Sequence, residues 1–394
     1  MSRNQLCYLV FQDAKRSMIG VLKKIQYQAK AINHIFPGFS CFVIGNHDPD
    51  ILEKIQPLEY VNFVTIETLS SNKLARQVST RRKSIEAAEK VLRGKEDQLF
   101  YIRYPLGCPW MLAFFKKIKA KGGRIITEHQ SFEYHELLEQ KKYHLALSEL
   151  LFGNLCLHSV YGAVGVTREI AQHEKRRARD LQVTCIPNGI NTANYPLKQF
   201  STTDHRICLK LLFVGGVANW HGIDRLIGGL ARTNYQQIEF HVVGEGSELL
   251  KLKQMVHKNN LDKNVFFHGF QTGKQLNALF DLCHIAIGSL GIHRKGLTET
   301  SELKAREYCA RGIPYICSSY DSDFPESFPY RLQVPADDNP INIQEILTFT
   351  EKVFSVKDPP DKMRTFAIQN LDWEVKVGKL KLFIDDLITG GHSE

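Results

Sequence analysis

The chain of 394 residues carries 51 Lys and Arg against 42 Asp and Glu, a formal net charge of +9, with 43% hydrophobic and 24% charged residues. That length has room for two domains with a core each, and the composition is that of a globular protein rather than a disordered or collagenous one. No apolar run reaches bilayer-spanning length, no signal-peptide core stands at the N-terminus, and nine cysteines without a CxxC pair or Cys/His cluster exclude a disulfide framework or zinc site. The expected setting is a cytoplasm.

The first half repeats one theme. Short apolar runs at Leu6–Phe11, Cys41–Ile44, Phe63–Ile66, Leu99–Ile102, Arg124–Thr127 and Ala163–Val166 read as strands. Amphipathic stretches separate them, among them Gly20–Ile35, Lys73–Arg93 and Pro109–Lys121. Strands alternating with helices point to a parallel sheet covered on both faces. The theme breaks at Cys185-Ile-Pro-Asn-Gly-Ile190, where Asn188-Gly189 signals a turn, and the polar segment up to His205 reads as an interdomain linker. A second α/β series follows, with strands at Leu211–Val214, Ile238–Val243, Val265–Phe267, Ile285–Ile287 and Tyr315–Cys317. Trp373–Leu387 has a helical pattern with no strand after it. The expected domains are therefore 1–190 and 207–371, two Rossmann-like halves with a cleft between them, the usual place for a small-molecule site.

Three basic runs stand out, Arg81-Arg82-Lys83, Lys116 to Lys121 and Lys175-Arg176-Arg177. Solvated helix faces explain such runs most simply; an anionic membrane surface is the preferred functional reading. Nucleic acid is disfavoured, because no stacking-aromatic motif or zinc finger accompanies them.

Two turns carry glycines where a strand meets a helix. Phe213-Val-Gly-Gly-Val-Ala-Asn-Trp-His-Gly222 follows the first strand of the second half, and Val243-Gly-Glu-Gly-Ser247 follows the next, with Ser247 a candidate N-cap. Glycines at Gly215, Gly216 and Gly244 let backbone approach a ligand, helix N-termini attract phosphate, and His221 can donate to one. The stretch Gly296–Ile316 follows a buried strand. It reads as a loop, a helix capped by Thr300 or Ser301, a stop at Arg311-Gly312 and Pro314, and a further strand. Glu299 thus falls in a loop at a strand's C-terminal end and Glu307 on the helix beyond it, the edge where open α/β sheets bind ligands. Carboxylates there suit sugar or ribose hydroxyls, and Arg294 and Lys295 suit a phosphate. The plain alternative for Glu307 is a surface pair with Lys304, worth a few tenths of a kcal/mol.

These motifs together resemble the retaining glycosyltransferases of the large GT4 family, with GT-B architecture. Ile186-Pro-Asn-Gly-Ile190 is similar to that family's turn before the linker, Phe213-Val-Gly215 to its phosphate loop and Val243-Gly-Glu-Gly246 to its second-strand turn. Glu299, seven intervening residues, Glu307 and then Cys309-Ala-Arg-Gly-Ile-Pro314 resemble its Glu-x7-Glu element with a trailing Gly-x-Pro. The resemblance implies a donor-binding second domain, an acceptor-binding first domain and a C-terminal helix, 372–390, crossing back onto the first. It places Glu307 at the ribose, Glu299 at the donor sugar (Glu302 being the alternative), His129 near that sugar, and Gly20 near the donor phosphates. Glu128, Glu133 and Tyr134 would face the acceptor. The chain departs from the pattern where the phosphate loop usually carries an Arg and a Lys: Gly216 and His221 stand there instead. Arg294 and Lys295 are the expected replacements, with Lys304 nearby. Two Asp-x-Asp triplets, Asp48-Pro-Asp50 and Asp321-Ser-Asp323, suggest turn chemistry before a metal site, so no metal is expected.

The expected activity is transfer of a hexose-type sugar from a nucleoside diphosphate to a glycan or lipid-linked acceptor, in polysaccharide synthesis. Its rivals are a nucleotide-sugar epimerase or hydrolase, and a non-catalytic carbohydrate- or nucleic-acid-binding protein on the same scaffold.

Overall fold

In the computed structural model, residues 5–15, 18–53, 55, 57–68, 72–199, 204–233 and 237–390 are described, and they divide into two units. Unit 1 comprises 1–189 and 373–394, and unit 2 comprises 190–372.

Unit 1 runs β1 (Leu6–Phe11), α1 (Ile19–Ile35), β2 (Ser40–Gly45), α2 (Pro49–Leu52), β3 (Val61–Thr65), α3 (Lys73–Val91), β4 (Leu99–Arg103), α4 (Pro109–Ala120), β5 (Arg124–His129), α5 (Glu133–Glu139), α6 (Tyr143–Leu157), β6 (Gly162–Gly165), α7 (Arg168–Arg177) and β7 (Gln182–Cys185). The strands form one parallel sheet in the order β3-β2-β1-β4-β5-β6-β7. β1, β4 and β6 are buried along almost their whole length, which is why their sequences are continuous apolar runs without alternation.

Unit 2 follows with β8 (Leu209–Val214), α8 (Ile223–Ala231), β9 (Ile238–Val243), α9 (Leu249–Lys258), β10 (Val265–Gly269), α10 (Gly273–Leu282), β11 (Ile285–Ile287), α11 (Leu303–Arg311), β12 (Tyr315–Cys317), β13 (Arg331–Gln333), α12 (Ile343–Phe354) and α13 (Pro359–Asn370). Its parallel sheet has the order β10-β9-β8-β11-β12-β13. The chain then returns to unit 1 as α14 (Trp373–Thr389), which packs on α1 and adds Trp373, Val377, Leu380, Ile384 and Leu387 to the core containing Leu22, Ile25 and Ile32. Each unit is thus a parallel α/β sheet with helices, as the resemblance to the GT-B architecture implies.

Two local expectations need correction. The stretch after Ile190 is not a loose linker: Ile190 N–H donates to Leu371 O (2.9 Å), Thr192 binds the Asp372 carboxylate, and the Lys198 ammonium is held by the carbonyls of Phe280 and Asp281. Its polar groups are taken up by carbonyls and carboxylates of unit 2, and residues 200–203 of it lie outside the described ones. The helix after Glu299 starts later than Thr300 or Ser301. Residues 298–300 are extended and paired to Tyr320, so helical dihedrals begin only past the N-cap Glu302. Gly312 ends α11 in the left-handed region (φ 77°), as its sequence predicts.

Candidate functional site

At the C-terminal ends of β8 and β9, two turns lock together through backbone. Gly215 N–H donates to Val243 O (3.0 Å), Val217 N–H to Glu245 O (2.8 Å) and Gly244 N–H to Gly269 O (2.8 Å). Gly215 (φ 150°) and Gly244 (φ 133°) adopt dihedrals that side chains disfavour, and a Cβ on Gly244 would lie 1.9 Å from Gly215 O. Only glycine permits this approach. Gly216 is exposed, with just Glu245 O near the limit of contact for an added Cβ, so the turn keeps an open backbone face. His221 closes the loop from beneath. Its Nδ1 accepts the Ala218 N–H (3.3 Å), which leaves the proton on Nε2. Burial, reinforced by the charges of Lys304 and Lys295, holds the imidazole well below its usual pKa, so it is neutral. Ser247 does not cap the next helix; Glu248 occupies that position, with no side-chain cap bond.

α11 aims its first turn at the same edge. Tyr308 anchors it: the buried phenol donates to Ile287 O (3.0 Å) and accepts Val214 N–H (3.2 Å), tying the helix to β11 and β8. One turn earlier, Lys304 passes over the Phe213 ring (4.8 Å), and its ammonium lies 3.5 Å from Ser289 Oγ and 3.7 Å from where a Gly215 Cβ would be. Burial lowers this lysine to about 8, with Glu302 (3.9 Å) opposing the shift. Lys304 is therefore a cation beside the glycine turn, and the alternative surface pair of Lys304 with Glu307 does not form. Glu307 turns instead to Arg311 (2.8 Å), whose guanidinium stacks over Phe280 and bonds Asn277. The physical reason is competition: Lys304 is drawn inward to the strand ends, and Arg311 lies one helical turn after Glu307 on the same stripe. Glu302 accepts the Ser289 N–H (3.2 Å), while Glu299 is 4% exposed in the segment paired with Tyr320.

Arg294 is occupied. Its guanidinium makes paired hydrogen bonds to Asp224 (2.9 and 2.8 Å), and it also reaches Asp338 and Asn219. Lys295 lies over the Trp220 ring at 4.9 Å. The two sit on the short turn Ile292–Lys295, against the Asn219–His221 turn of the phosphate-loop segment. Asp321 and Asp323 are likewise engaged, clamping the fully buried Arg306 (2.6–3.1 Å), and Asp48 caps α2 through Asp50 N–H.

In unit 1, His129 ends β5 with no exposed surface. Its Nδ1 lies 3.2 Å from Glu133 Oε1, Nε2 lies 3.0 Å from Thr127 Oγ1, and the ring stacks on Tyr104 at 4.5 Å. Glu174 stands 3.7 Å away, so His129, Glu133 and Glu174 converge within 4.8 Å, a spacing that a metal ion fits. Arg177 binds both Glu174 and the buried Glu149 there, and burial together with Glu149 pushes Glu133 up to about 8. Burial, outweighing the nearby carboxylates, also lowers His129. With Glu133 raised in this way, the one Arg177 guanidinium serves the carboxyls of both Glu174 and Glu149. Glu128 is core too, accepting from Tyr101 (3.1 Å) and Gln28 (2.7 Å). Burial pushes it up, but Lys24 and Arg103 prevail, and its pKa is lowered. Tyr134 is half-buried on α5. Gly20 is exposed in the first turn of α1, and Lys24 one turn on donates to Gln130 (2.7 Å), beside His129.

The structure thus gathers Gly215, Gly216, Gly244, His221 and Lys304 at one sheet edge, with Lys295 and a committed Arg294 alongside. Ser289 and Tyr308, which sequence reasoning missed, hold Lys304 and α11 in place. Their signal was the spacing of Lys304 and Tyr308, four apart on one helix after a buried strand.

Residues 208–328 match the family described as glycosyl transferases group 1. Among curated proteins no match is found. Among solved structures, the chain is similar to sucrose-phosphate synthase from Thermosynechococcus elongatus (TM-score 0.70, 16% identity, covering 98% of this chain and 100% of that one). It is also similar to HepE of Anabaena in complex with UDP and glucose (0.66, 13%, 96% and 99%) and to a glycosyltransferase from Rickettsia africae (0.64, 13%, 98% of each).

Proposed function

From a GT-B chain whose residues 208–328 match glycosyl transferases group 1, we propose a transferase that moves a hexose-type sugar from a nucleoside diphosphate to a glycan or lipid-linked acceptor, with retention at the anomeric carbon. The observation that carries this reading is the Lys304 ammonium beside the open turn at Gly215 and Gly216. As the glycosidic bond breaks, negative charge grows on the departing diphosphate, and fixed donors aimed at that position stabilise it. Lys304 and the exposed backbone of the turn supply them, where an Arg and a Lys would stand in the usual phosphate loop. Arg294, already held by Asp224, positions the turn through Asn219. Lys295 remains a phosphate ligand in this reading. Glu307 accepts from the ribose hydroxyls and Glu299 from the donor sugar. His129 and Gly20 mark the unit that takes the acceptor.

In the proposed mechanism the leaving phosphate oxygen takes the acceptor's proton on the same face, so no protein nucleophile and no divalent metal is invoked. The expected place of action is the cytoplasm, in polysaccharide synthesis. The test is a thermal-shift panel of UDP, GDP and ADP and their sugars, with UDP tried first because HepE was solved with it. One nucleotide should raise the melting temperature, and Glu307→Gln should shrink that shift. Indifference to all three would remove the proposal, as would activity that a chelator abolishes for the metal-free part of it.

A further inference from the structure

α6 breaks the usual rule for a surface helix. Tyr143, Leu147, Leu150, Leu151 and Leu155 are 63, 54, 60, 56 and 49% exposed, and at 100° per residue they cover an arc of about 140°. The opposite arc, with Leu145, Ala146, Gly153, Cys156 and Leu157, is buried in the domain. The one charged residue of the helix, Glu149, points inward to Arg177, Tyr104 and the Gly107 N–H. A surface helix normally carries its charges outward; here the outward arc carries none. Its polar residues are Asn154, bonded by Arg177 (2.9 Å), and exposed His144, bonded to Gln77 (2.7 Å).

The rim is basic. Lys141 and Lys142 precede the helix, exposed Arg76 lies on α3, which meets α6 through Gln77 and His144 (2.7 Å), and exposed Arg176 lies on α7 beside Arg177. Glu136 and Glu139 of α5 are the acidic groups next to it. α4, packed along α6, exposes Trp110 in its first turn.

We propose that this face docks on an anionic lipid bilayer, with α6 lying in the plane of the surface. Its 15 residues span about 22 Å, too short to cross a hydrocarbon core of about 30 Å, and its inward side belongs to the folded unit. Leucines and a tyrosine outward, ringed by Lys and Arg, are the composition of an interfacial helix. Tyr143 and Trp110 suit the headgroup level, and the cations complement acidic lipids. A second copy fits less well, because a two-fold contact would set the same basic rim against itself.

The test uses the full chain in co-sedimentation with phosphatidylcholine vesicles, with and without phosphatidylglycerol, and without any sugar nucleotide. Its outcome is therefore independent of the transfer reaction. Binding is expected only with phosphatidylglycerol and should weaken as salt is raised. Leu150→Ser with Leu151→Ser, and separately Lys141→Gln with Lys142→Gln, should each lower vesicle affinity about ten-fold or more. The melting temperature and nucleotide binding should stay unchanged. Failure to sediment with acidic vesicles would overturn the proposal, and so would unchanged affinity in the leucine variant. Self-association that the leucine variant abolishes, with no vesicle binding by the parent, would assign the face to a second copy instead.

Discussion

Unit 1 turns its ionisable groups on one another, whereas unit 2 sets a lysine beside an exposed glycine turn. Around His129, three glutamates and Arg177 answer one another at short range, and little of them reaches solvent. At the β8 and β9 turns the charges stand apart: a glycine backbone, a neutral His221, Lys295 over Trp220, and Lys304, whose nearest carboxylate is 3.9 Å away. Perturbed titration marks both regions. What separates them is that the charges of the first cluster pair with one another, whereas at the second a cation stands beside exposed backbone.

Three changes break or sharpen that contrast. The largest effect is expected from Arg177→Met, which strips the buried Glu149 and Glu174 of their counter-charge. Unfolding by urea should show a loss of about 3–5 kcal/mol, with nucleoside diphosphate binding retained at temperatures where the variant is folded. A loss below 1 kcal/mol would mean the cluster is not the closed network described. Next, Lys304→Met should weaken nucleoside diphosphate binding about ten- to hundred-fold, in the range of a charge-assisted hydrogen bond of roughly 1.5–3 kcal/mol, while scarcely lowering the melting temperature. Because Lys304 titrates near 8, parental affinity should fall as pH rises through that value, and the variant should lose the slope. Calorimetry at two pH values on either side decides it; parallel pH profiles would place the phosphate elsewhere.

The third change is read only as a difference between pH profiles, in Glu133→Gln. A carboxyl raised to about 8 in the folded chain, against its ordinary 4.5, favours folding fully only below the ordinary value. That contribution is lost as pH rises through 8. The parent's melting temperature should therefore decline relative to the variant's between pH 4.5 and 8. Superimposable curves would show that Glu133 ionises freely.

The sheet cores were legible because buried parallel strands are continuous apolar runs: β9, β11 and β12 appear where Ile238–Val243, Ile285–Ile287 and Tyr315–Cys317 predict them. The edge strands β7 and β13 were not, since QVTC and RLQ are short and polar and resemble loops. α6 escaped because a helix that is apolar on both faces has no period to read. In unit 2 the glycine turns were visible from their spacing. The partners of the charges were not: nothing local tells that Arg306 would be buried against Asp321 and Asp323, that Arg294 would be claimed by Asp224, or that Glu307 would choose Arg311 over Lys304. Such choices depend on where distant segments return.

That return has a consequence for how the protein is made. Unit 2 is one uninterrupted stretch, 190–372, whereas unit 1 lacks Trp373, Val377, Leu380, Ile384 and Leu387 until α14 has been synthesised. On a translating ribosome, domains fold as their residues emerge. Here the earlier-born domain must wait with an open seam against α1, and the later-born one finishes first.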